Sequence, residues 1–271
     1  MIVADPDVDP DGLLACRSLA HAYPFAKIRY YARIDSTNSA ALNDLDQLTD
    51  PDKPRLYLAD AQTAGRGRHG RTWVADQGTL TFSLVVGYRD YLGRTPAPIA
   101  IAVGVAVART IEHLAAPFAA RLKWPNDVYL NGGKVAGVLI EAAPAKSDVI
   151  VVGIGLNVAT DFRNQPSLAD APTTSICSLT QRYPHRYQWL SECVAQVFAA
   201  IDQVKQQPQE IIQEQRRRCL LKGKPLRYLV GDQWHHGICQ GIDHRGALEV
   251  LAGNTLHRLT SGEVQQCRLS L

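Results

Sequence analysis

Several features that mark particular protein classes are missing from this sequence of 271 residues. Its six cysteines include no CxxC pair, which excludes the common zinc and redox motifs and predicts reduced thiols packed as small apolar side chains. The longest apolar run, Ile99 to Ala108, is far shorter than the roughly 20 residues that span a bilayer. The N-terminus is acidic, whereas a secretory signal begins with basic residues. We therefore expect a cytoplasmic protein that has no membrane partner.

A strong excess of one charge is also absent. The chain has 29 Lys and Arg against 26 Asp and Glu, a net charge of +3. This is weaker than the basic patch of a dedicated nucleic-acid-binding protein, so we expect no nucleic-acid partner. A hydrophobic content of 46% excludes disorder as the main state. The length fits one large domain with a smaller one.

Alternating apolar residues and turn signals predict several strands in the first half of the chain. Asn131-Gly132 is typical of a tight hairpin turn, because both positions accept positive φ angles. Residues with N-cap side chains at 35–38 precede one predicted helix, and apolar residues at helical spacing predict another at 99–114. The predicted strands are 28–34, 55–62, 79–86, 127–130, 134–142 and 149–158.

The pattern changes in the last quarter of the chain. An amphipathic helix is predicted over 189–201, and Pro208 fits the first turn of a short helix that ends near Arg218. Short apolar runs separated by glycine-containing turns then predict a small barrel. We therefore expect a domain over 1–218, with a short lead-in at 1–25, and a second domain over 219–271.

A glycine- and arginine-rich loop lies between two predicted strands, at Gly65-Arg66-Gly67-Arg68-His69-Gly70-Arg71. Its glycines match the GxGxxG dinucleotide fingerprint, but that motif opens a helix and here a strand follows. Kinase and P-loop motifs are absent as well. Free backbone N–H groups and three guanidinium groups instead favour an anion-binding loop, although a plain solvated loop would have the same composition.

Four further motifs accompany this loop. They are Ser36-Thr37-Asn38, Lys123-Trp124-Pro125-Asn126-Asp127, Lys134-Val135-Ala136-Gly137 and Gly153-Ile154-Gly155-Leu156-Asn157-Val158. In this order and combination, the set resembles the biotin protein ligase family over about residues 28–160. The resemblance implies an α+β fold, with a mixed, mainly antiparallel sheet and helices on one side, as in class II synthetase catalytic cores. It also implies a small C-terminal SH3-like β-barrel.

The resemblance implies an ATP-dependent, AMP-forming ligase that uses an adenylate intermediate. Such enzymes convert biotin and ATP to biotinyl-5′-AMP and pyrophosphate, with Mg²⁺, and then transfer biotin to a lysine of a biotin carboxyl carrier protein. A carboxylate and a phosphate must approach each other in this reaction, so positive charge has to offset their repulsion. The resemblance leaves open a monomer or a homodimer.

The family pattern also implies roles for individual residues. Lys134 and Arg68 are the expected catalytic residues, with Lys134 opposite the junction of carboxylate and α-phosphate. Trp73, Asn126, Asp127 and Asn157 have structural alternatives, and Asp127 is a possible neighbour of Mg²⁺ in a site that the protein alone does not form. The expected biotin-binding residues are Ser36, Thr37, Asn38, Gln62, Gly65, Arg66, Gly67, Arg68, Lys134 and Gly137. The expected ATP- and adenylate-binding residues are Arg66, Arg68, Arg71, Trp73, Asn126, Asp127, Lys134 and Asn157.

Two departures and two alternatives accompany this interpretation. The lead-in is too short for the DNA-binding domain of repressor-type ligases, so we expect no transcriptional repression. The loop after Asn157 contains Phe162 but no tryptophan, which leaves the group that covers adenine undefined.

A lipoate or octanoate ligase is the alternative enzyme, although its RRxSGGG-like motif is absent. A non-catalytic biotin-binding module is the other alternative, and the presence of Lys134 and the arginine loop disfavours it.

Overall fold

A computed structural model describes residues 1–87, 97–143, 146–162, 172–182, 185–230, 232–260 and 264–266. The helices are α1 (Pro10–Ala22), α2 (Thr37–Asn43), α3 (Ala97–Leu114), α4 (Ile176–Thr180), α5 (Arg186–Gln206) and α6 (Pro208–Arg218). The strands of the large sheet are β1 (Ile2–Ala4), β2 (Lys27–Ile34), β3 (Arg55–Gln62), β4 (Thr79–Gly87), β5 (Ala120–Lys123), β6 (Asp127–Leu130), β7 (Gly133–Ala143) and β8 (Lys146–Asn157). The C-terminal strands are β9 (Pro225–Val230), β10 (Gln233–Ile242), β11 (Leu248–Ala252), β12 (Thr255–Leu259) and β13 (Val264–Gln266).

The large sheet has eight strands in the order β1-β2-β3-β4-β8-β7-β6-β5. The pairs β1–β2 and β2–β3 are parallel, and the five others are antiparallel. The expectation of a mixed, mainly antiparallel sheet is confirmed. The order places β4, β8 and β7 side by side in the middle of the sheet, so β4 meets the hairpin of β7 and β8, which lies far along the sequence.

The two faces of this sheet differ in composition. On β4, Leu80, Phe82 and Leu84 point into a large core that also contains residues of α1, α3 and α5. The side chains between them, Thr81 and Ser83, belong to the opposite face, because neighbouring residues of a strand alternate. Helices α1, α3 and α5 therefore lie on one side, as expected, and the short α2 covers part of the other. The polar remainder of that second face is open.

Four short elements were not predicted from the sequence, namely β1, β5, α4 and β13. Each has at most five residues, which is too short to show a hydrophobic period. The N-terminal lead-in is folded, because β1 pairs with β2 and α1 contributes buried Cys16 and Leu19 to the core. Most of the loop after Asn157, which contains Phe162, lies outside the described residues.

The last strands form a five-stranded antiparallel sheet in the order β12-β11-β10-β9-β13. The small C-terminal β domain is confirmed. It shares its core with the large sheet, since Leu226 and Leu248 pack in the same cluster as residues of α3 and β5. The indole N–H of buried Trp124 also donates to the carbonyl of Gly246 over 3.0 Å. Helix α6 ends at Arg218, and the domain boundary near residue 219 stays a prediction.

Five of the cysteines lie within the described residues, and all five are free and buried, as predicted. Burial raises the pKa of the Cys16 and Cys193 thiols to about 12 in each case. These thiols are therefore protonated at neutral pH and pack as small apolar groups. The sixth, Cys267, lies outside the described residues. Among the helices of the described part of the chain, none is both long and apolar enough to cross a membrane.

Candidate active site

Glycines form the floor of a trough on the open face of the large sheet. Gly155 of β8 lies directly between Thr81 of β4 and Gly137 of β7 in the strand register. A Cβ atom on Gly155 would overlap with the Trp73 ring, and one on Gly153 would overlap with the Asn38 amide. Only residues without a side chain allow these groups to lie so close to the sheet.

A cavity of about 440 Å³ lies over this floor, a volume that suits a small-molecule ligand. The predicted site residues come from five separate segments of the sequence, and the fold brings all but one of them to its walls. Gly65 is the exception and lies just behind the wall, in the arm of the loop. The predicted residues that line the cavity are Ser36, Thr37, Asn38, Gln62, Arg66, Gly67, Arg68, Arg71, Trp73, Asn126, Asp127, Lys134, Gly137 and Asn157.

The N-terminus of α2 forms one end of the cavity, which we call the α2 end. Ser36 is the N-cap residue, and its hydroxyl accepts a hydrogen bond from the backbone N–H of Ser39. The Thr37 backbone N–H donates to Gln62 Oε1 over 2.6 Å, and the Thr37 hydroxyl donates to the same atom over 3.1 Å. The α2 end thus has amide and hydroxyl groups in a fixed arrangement, with both hydrogen-bond donors and acceptors.

The Asn38 side chain is held by its neighbours at the same end. Its Oδ1 accepts a hydrogen bond from the Ser83 hydroxyl over 2.5 Å. Its Nδ2 donates to Glu141 Oε2 over 2.8 Å. Asn38 is 4% exposed, so these contacts satisfy a buried amide and fix its orientation. Its amide nitrogen is therefore already engaged by the protein.

The glycine–arginine loop is a two-armed hairpin. Gly67 N–H donates to the carbonyl of Arg71 over 2.7 Å, and Trp73 N–H donates to that of Gly65 over 2.9 Å. A Cβ atom on Gly65 would overlap with the Trp73 carbonyl oxygen, which explains the glycine at this position. The turn passes through His69 and Gly70, both in the left-handed region with φ angles of 55° and 71°. Arg68 at the turn and Arg71 on the returning arm both line the cavity.

Lys134 lies at the start of β7, directly after the predicted hairpin turn. Asn131 and Gly132 have φ angles of 47° and 84°, so this two-residue turn is confirmed. The Lys134 ammonium is 2.6 Å from Asp127 Oδ1 and 5.5 Å from the centre of the Trp73 ring. Lys134 and Asp127 side chains are 25% and 18% exposed. A cation is thus held at the cavity wall, half-buried between a carboxylate and an aromatic face.

The two asparagines of the motifs also have partners in the protein. Asn126 Nδ2 donates to the carbonyl of Val138 over 2.6 Å and thereby ties β7 to the turn before β6. Asn157 Oδ1 accepts from the Thr160 hydroxyl over 3.3 Å at the end of β8. Both contacts support local structure, which agrees with the structural alternative for these residues. Their places in the cavity wall are compatible with ligand binding as well.

Sequence reasoning missed several residues of this site. One is Thr81, whose Oγ1 is buried and has no hydrogen-bond partner among the described residues, as is also true of Nε1 of the predicted Trp73. Burial and the charge of Asp127 raise the pKa of Tyr129, another wall residue, so its hydroxyl stays protonated. The polar alternation of Thr79, Thr81 and Ser83 along a predicted strand was the available signal, since it marks a strand face outside the apolar core. Phe162 also lines the cavity.

One group of side chains in the described part of the chain has the spacing of metal ligands. It consists of Asp9, Asp11 and His185, which do not line the cavity. His185 Nε2 is 3.1 Å from Asp11 Oδ2. We interpret this group as surface carboxylates that lie beside a histidine.

Comparison with known proteins shows which protein family this chain resembles. A family model described as the Biotin/lipoate A/B protein ligase family matches residues 30–157. A biotin–[acetyl-CoA-carboxylase] ligase of Mycobacterium tuberculosis is 34% identical over 241 residues, which cover 88% of each chain. The ligase of the same name from Paracoccus denitrificans is 36% identical over 225 residues, 80% of this chain and 91% of that protein.

A solved structure, a biotin protein ligase from Aquifex aeolicus in complex with biotin and ATP, superposes with a TM-score of 0.77 at 25% identity. It covers 90% of this chain and is itself covered completely. The region matched by the family model contains every predicted site residue, from Ser36 to Asn157. The chain therefore belongs to the biotin/lipoate A/B protein ligase family, and the two relatives and the solved structure given above are biotin ligases by name.

Proposed function

We propose that this chain is an ATP-dependent biotin protein ligase. The observation that carries the proposal is the convergence of the arginine hairpin, Lys134 and the α2 end on one glycine-floored cavity. The relatives are named for the same activity, and the Aquifex structure contains both biotin and ATP. In this chain we assign biotin to the trough, with its ureido ring at the α2 end and its carboxylate near Lys134.

The first step joins biotin to AMP. A carboxylate oxygen of biotin attacks the α-phosphorus of ATP, and the bond from that phosphorus to the β-phosphate oxygen breaks, so pyrophosphate leaves with the electron pair. The reacting groups are both anionic. Lys134 and Arg68 offset their repulsion, and the charge that develops in the transition state strengthens these contacts. Arg71, Trp73 and Asn157 are assigned to the walls around the adenylate, and Arg66 to the α2 end.

The cavity wall offers a small number of protein ligands for Mg²⁺, which is compatible with an ion bound mainly by substrate phosphates. Mg²⁺ in nucleotide sites is commonly bound by one or two carboxylates together with substrate phosphates and water. Asp127 supplies a carboxylate at the cavity wall, beside the amide of Asn126. When bound, the ion would neutralise phosphate charge. Asp127 also holds the Lys134 ammonium, so it sets the position of the cation that faces the reacting carboxylate.

The second step transfers biotin to a protein. The deprotonated amine of an acceptor lysine attacks the acyl carbon of biotinyl-5′-AMP, and AMP leaves with the electrons of the broken C–O bond. We assign the acceptor to the biotin carboxyl carrier class, in keeping with the names of the relatives, and the reaction to the cytoplasm. A lipoate ligase remains the alternative within the family. The polar groups at the α2 end favour the ureido ring of biotin over an aliphatic disulfide ring.

The test uses the purified full chain with ATP and Mg²⁺. We expect pyrophosphate release with biotin, AMP release and labelling when a biotin carboxyl carrier domain is added, and no reaction with lipoate. Removal of Mg²⁺ with EDTA should abolish the release. A carrier domain whose acceptor lysine is replaced by arginine is the matched control and should stay unlabelled. Turnover with lipoate and none with biotin would overturn the proposal.

A further inference from the structure

Glu141 bridges two parts of the cavity wall, although it belongs to none of the motifs. It lies near the end of β7, whereas Lys134 lies near the start of the same strand. Its Oε1 forms an ion pair with Arg66 Nη2, and its Oε2 accepts the hydrogen bond from Asn38 Nδ2 over 2.8 Å. One carboxylate thus joins the first arm of the arginine hairpin to the α2 end.

Arg66 is directed toward the α2 end. Its Nη1 donates to the Ser39 hydroxyl over 3.1 Å, so its guanidinium group lies between α2 and β7. Seven residues of an extended strand separate Glu141 from Lys134, a distance of about 20 Å along the strand. Arg66 is therefore placed to hold the hairpin against the α2 end, at a distance from the site assigned to the phosphates.

The same carboxylate fixes the Asn38 side chain. An ionised carboxylate only accepts hydrogen bonds, so the amide nitrogen of Asn38 has to face Glu141 and its oxygen has to face Ser83. The Ser83 hydroxyl in turn is 2.8 Å from the Thr37 hydroxyl. The hydrogen bonds from Glu141 through Asn38 to Ser83 are therefore continuous, and a change at Glu141 is transmitted to the hydroxyl group that lies against Thr37.

We propose that Glu141 is a positioning residue for biotin, which acts by holding Arg66 and Asn38 together so that the hairpin arm closes the α2 end of the cavity. This inference rests on the proposed function, in which the ureido ring occupies that end. The Lys134 ammonium contacts Asp127 and the Trp73 ring, at the other end of β7 from Glu141, so the chemical step itself is spared. Loss of Glu141 should weaken biotin binding and leave turnover at saturating biotin nearly unchanged.

The experiment measures the Kd of biotin by titration calorimetry without ATP, and kcat by pyrophosphate release at saturating biotin. Glu141→Gln should raise the Kd by about tenfold, the size expected for losing one charged hydrogen bond and a partly exposed ion pair. The kcat value should stay within about twofold of the unmodified enzyme. Arg66→Gln should raise the Kd by several-fold through the same pair. The double variant should bind biotin no more than about twofold more weakly than Glu141→Gln, because the second change removes a contact already lost.

Glu249→Gln is the matched control, since Glu249 is 22% exposed, Glu141 is 21% exposed, and both pair with an arginine. It lies in the C-terminal β domain and should bind biotin normally. Salt provides a test that needs no variant: raising NaCl from about 0.05 to 0.5 M should weaken biotin binding to the unmodified enzyme more than to Glu141→Gln. An unchanged Kd in Glu141→Gln, a loss confined to kcat, or effects of the two single variants that multiply in the double variant would each overturn the inference. Absence of biotin binding in the unmodified enzyme would instead overturn the proposed function.

Discussion

The Lys134 ammonium is held at the cavity wall by Asp127 and by the face of the Trp73 ring. We expect Lys134→Ala to lower the rate of adenylate formation by about 10²–10³, the usual effect of removing one group that stabilises transition-state charge. The reason is that two anions would then approach with less positive charge between them. Single-turnover pyrophosphate release measures this rate.

Lys53→Ala is the control for that variant, because Lys53 also pairs with an aspartate, at 3.5 Å from Asp50, but lies outside the cavity. Its adenylation rate should equal that of the unmodified enzyme. The thermal unfolding midpoint of Lys134→Ala should stay close to the original value, because the side chain is 25% exposed. An unaffected adenylation rate in Lys134→Ala would refute the catalytic role.

Arg68 lies at the turn of the hairpin and lines the cavity. We expect Arg68→Gly to release biotinyl-5′-AMP into solution at least about tenfold faster, because a charge-assisted contact to its phosphate is lost. Escaped adenylate acylates lysines at random, so labelling of an added protein without an acceptor site measures the leak. Arg258→Gly, in the C-terminal β domain, should label that protein no more than the unmodified enzyme does.

Helices α3 and α6 are joined by the half-buried carboxylate of Glu214. Burial alone would raise the pKa of Glu214, but the hydrogen bond and charge of Arg109, together with Arg218, hold it below its ordinary value. A carboxyl group with a lowered pKa in the folded state stabilises the fold fully above its unfolded pKa of about 4.3, and this contribution is lost as the pH falls through the folded pKa.

The consequence is a pH-dependent effect of Glu214→Gln. We expect this variant to lower the free energy of unfolding by roughly 1–3 kcal/mol at pH 7, and by less at about pH 3, which lies on the acid side of the ordinary carboxyl pKa. Urea unfolding at the two pH values measures the difference. Glu210→Gln changes an exposed residue of the same helix and should have a small effect at both. Equal losses for Glu214→Gln at both pH values would contradict the role of its charge.

The sequence predicts elements of this fold well where a local pattern is complete. The bounds of β3 and α6 agree with the prediction because β3 is bracketed by turn residues and α6 begins with proline and ends in a basic turn. Strand β5 was missed, since four residues do not establish a period. Glu141 and Thr81 were missed for another reason: their roles arise from the register of strands that are distant in the sequence. The roles of individual motif residues came from the family resemblance, whereas the composition of the arginine loop alone already indicated anion binding.

At the scale of the whole molecule, one hydrophobic core extends from the large sheet into the C-terminal strands. Trp124 is 2% exposed and connects the two by its hydrogen bond to Gly246. We therefore expect the chain to unfold in a single transition, because neither part keeps a closed core without the other. Differential scanning calorimetry tests this by comparing the calorimetric and van't Hoff enthalpies, which should agree.

Trp124→Phe accompanies that experiment, since it removes the indole N–H but retains an aromatic ring. The thermal unfolding midpoint of the variant should be a few degrees lower, because one hydrogen bond worth roughly 1 kcal/mol is lost. The variant should still unfold in one transition. Two separate transitions in the unmodified protein would contradict the shared core. They would instead support independent folding on either side of the predicted boundary near residue 219.

The glycine floor of the trough has a consequence for how this site can change over generations. Every amino-acid replacement at Gly153 or Gly155 adds at least a Cβ atom, and at both positions that atom would collide with a neighbouring side chain. Single substitutions at these two positions are therefore disfavoured both in natural evolution and in laboratory selection. Variants that accept a bulkier acid than the present ligand have to arise in the hairpin or at the α2 end, where an existing side chain can be replaced by a smaller one.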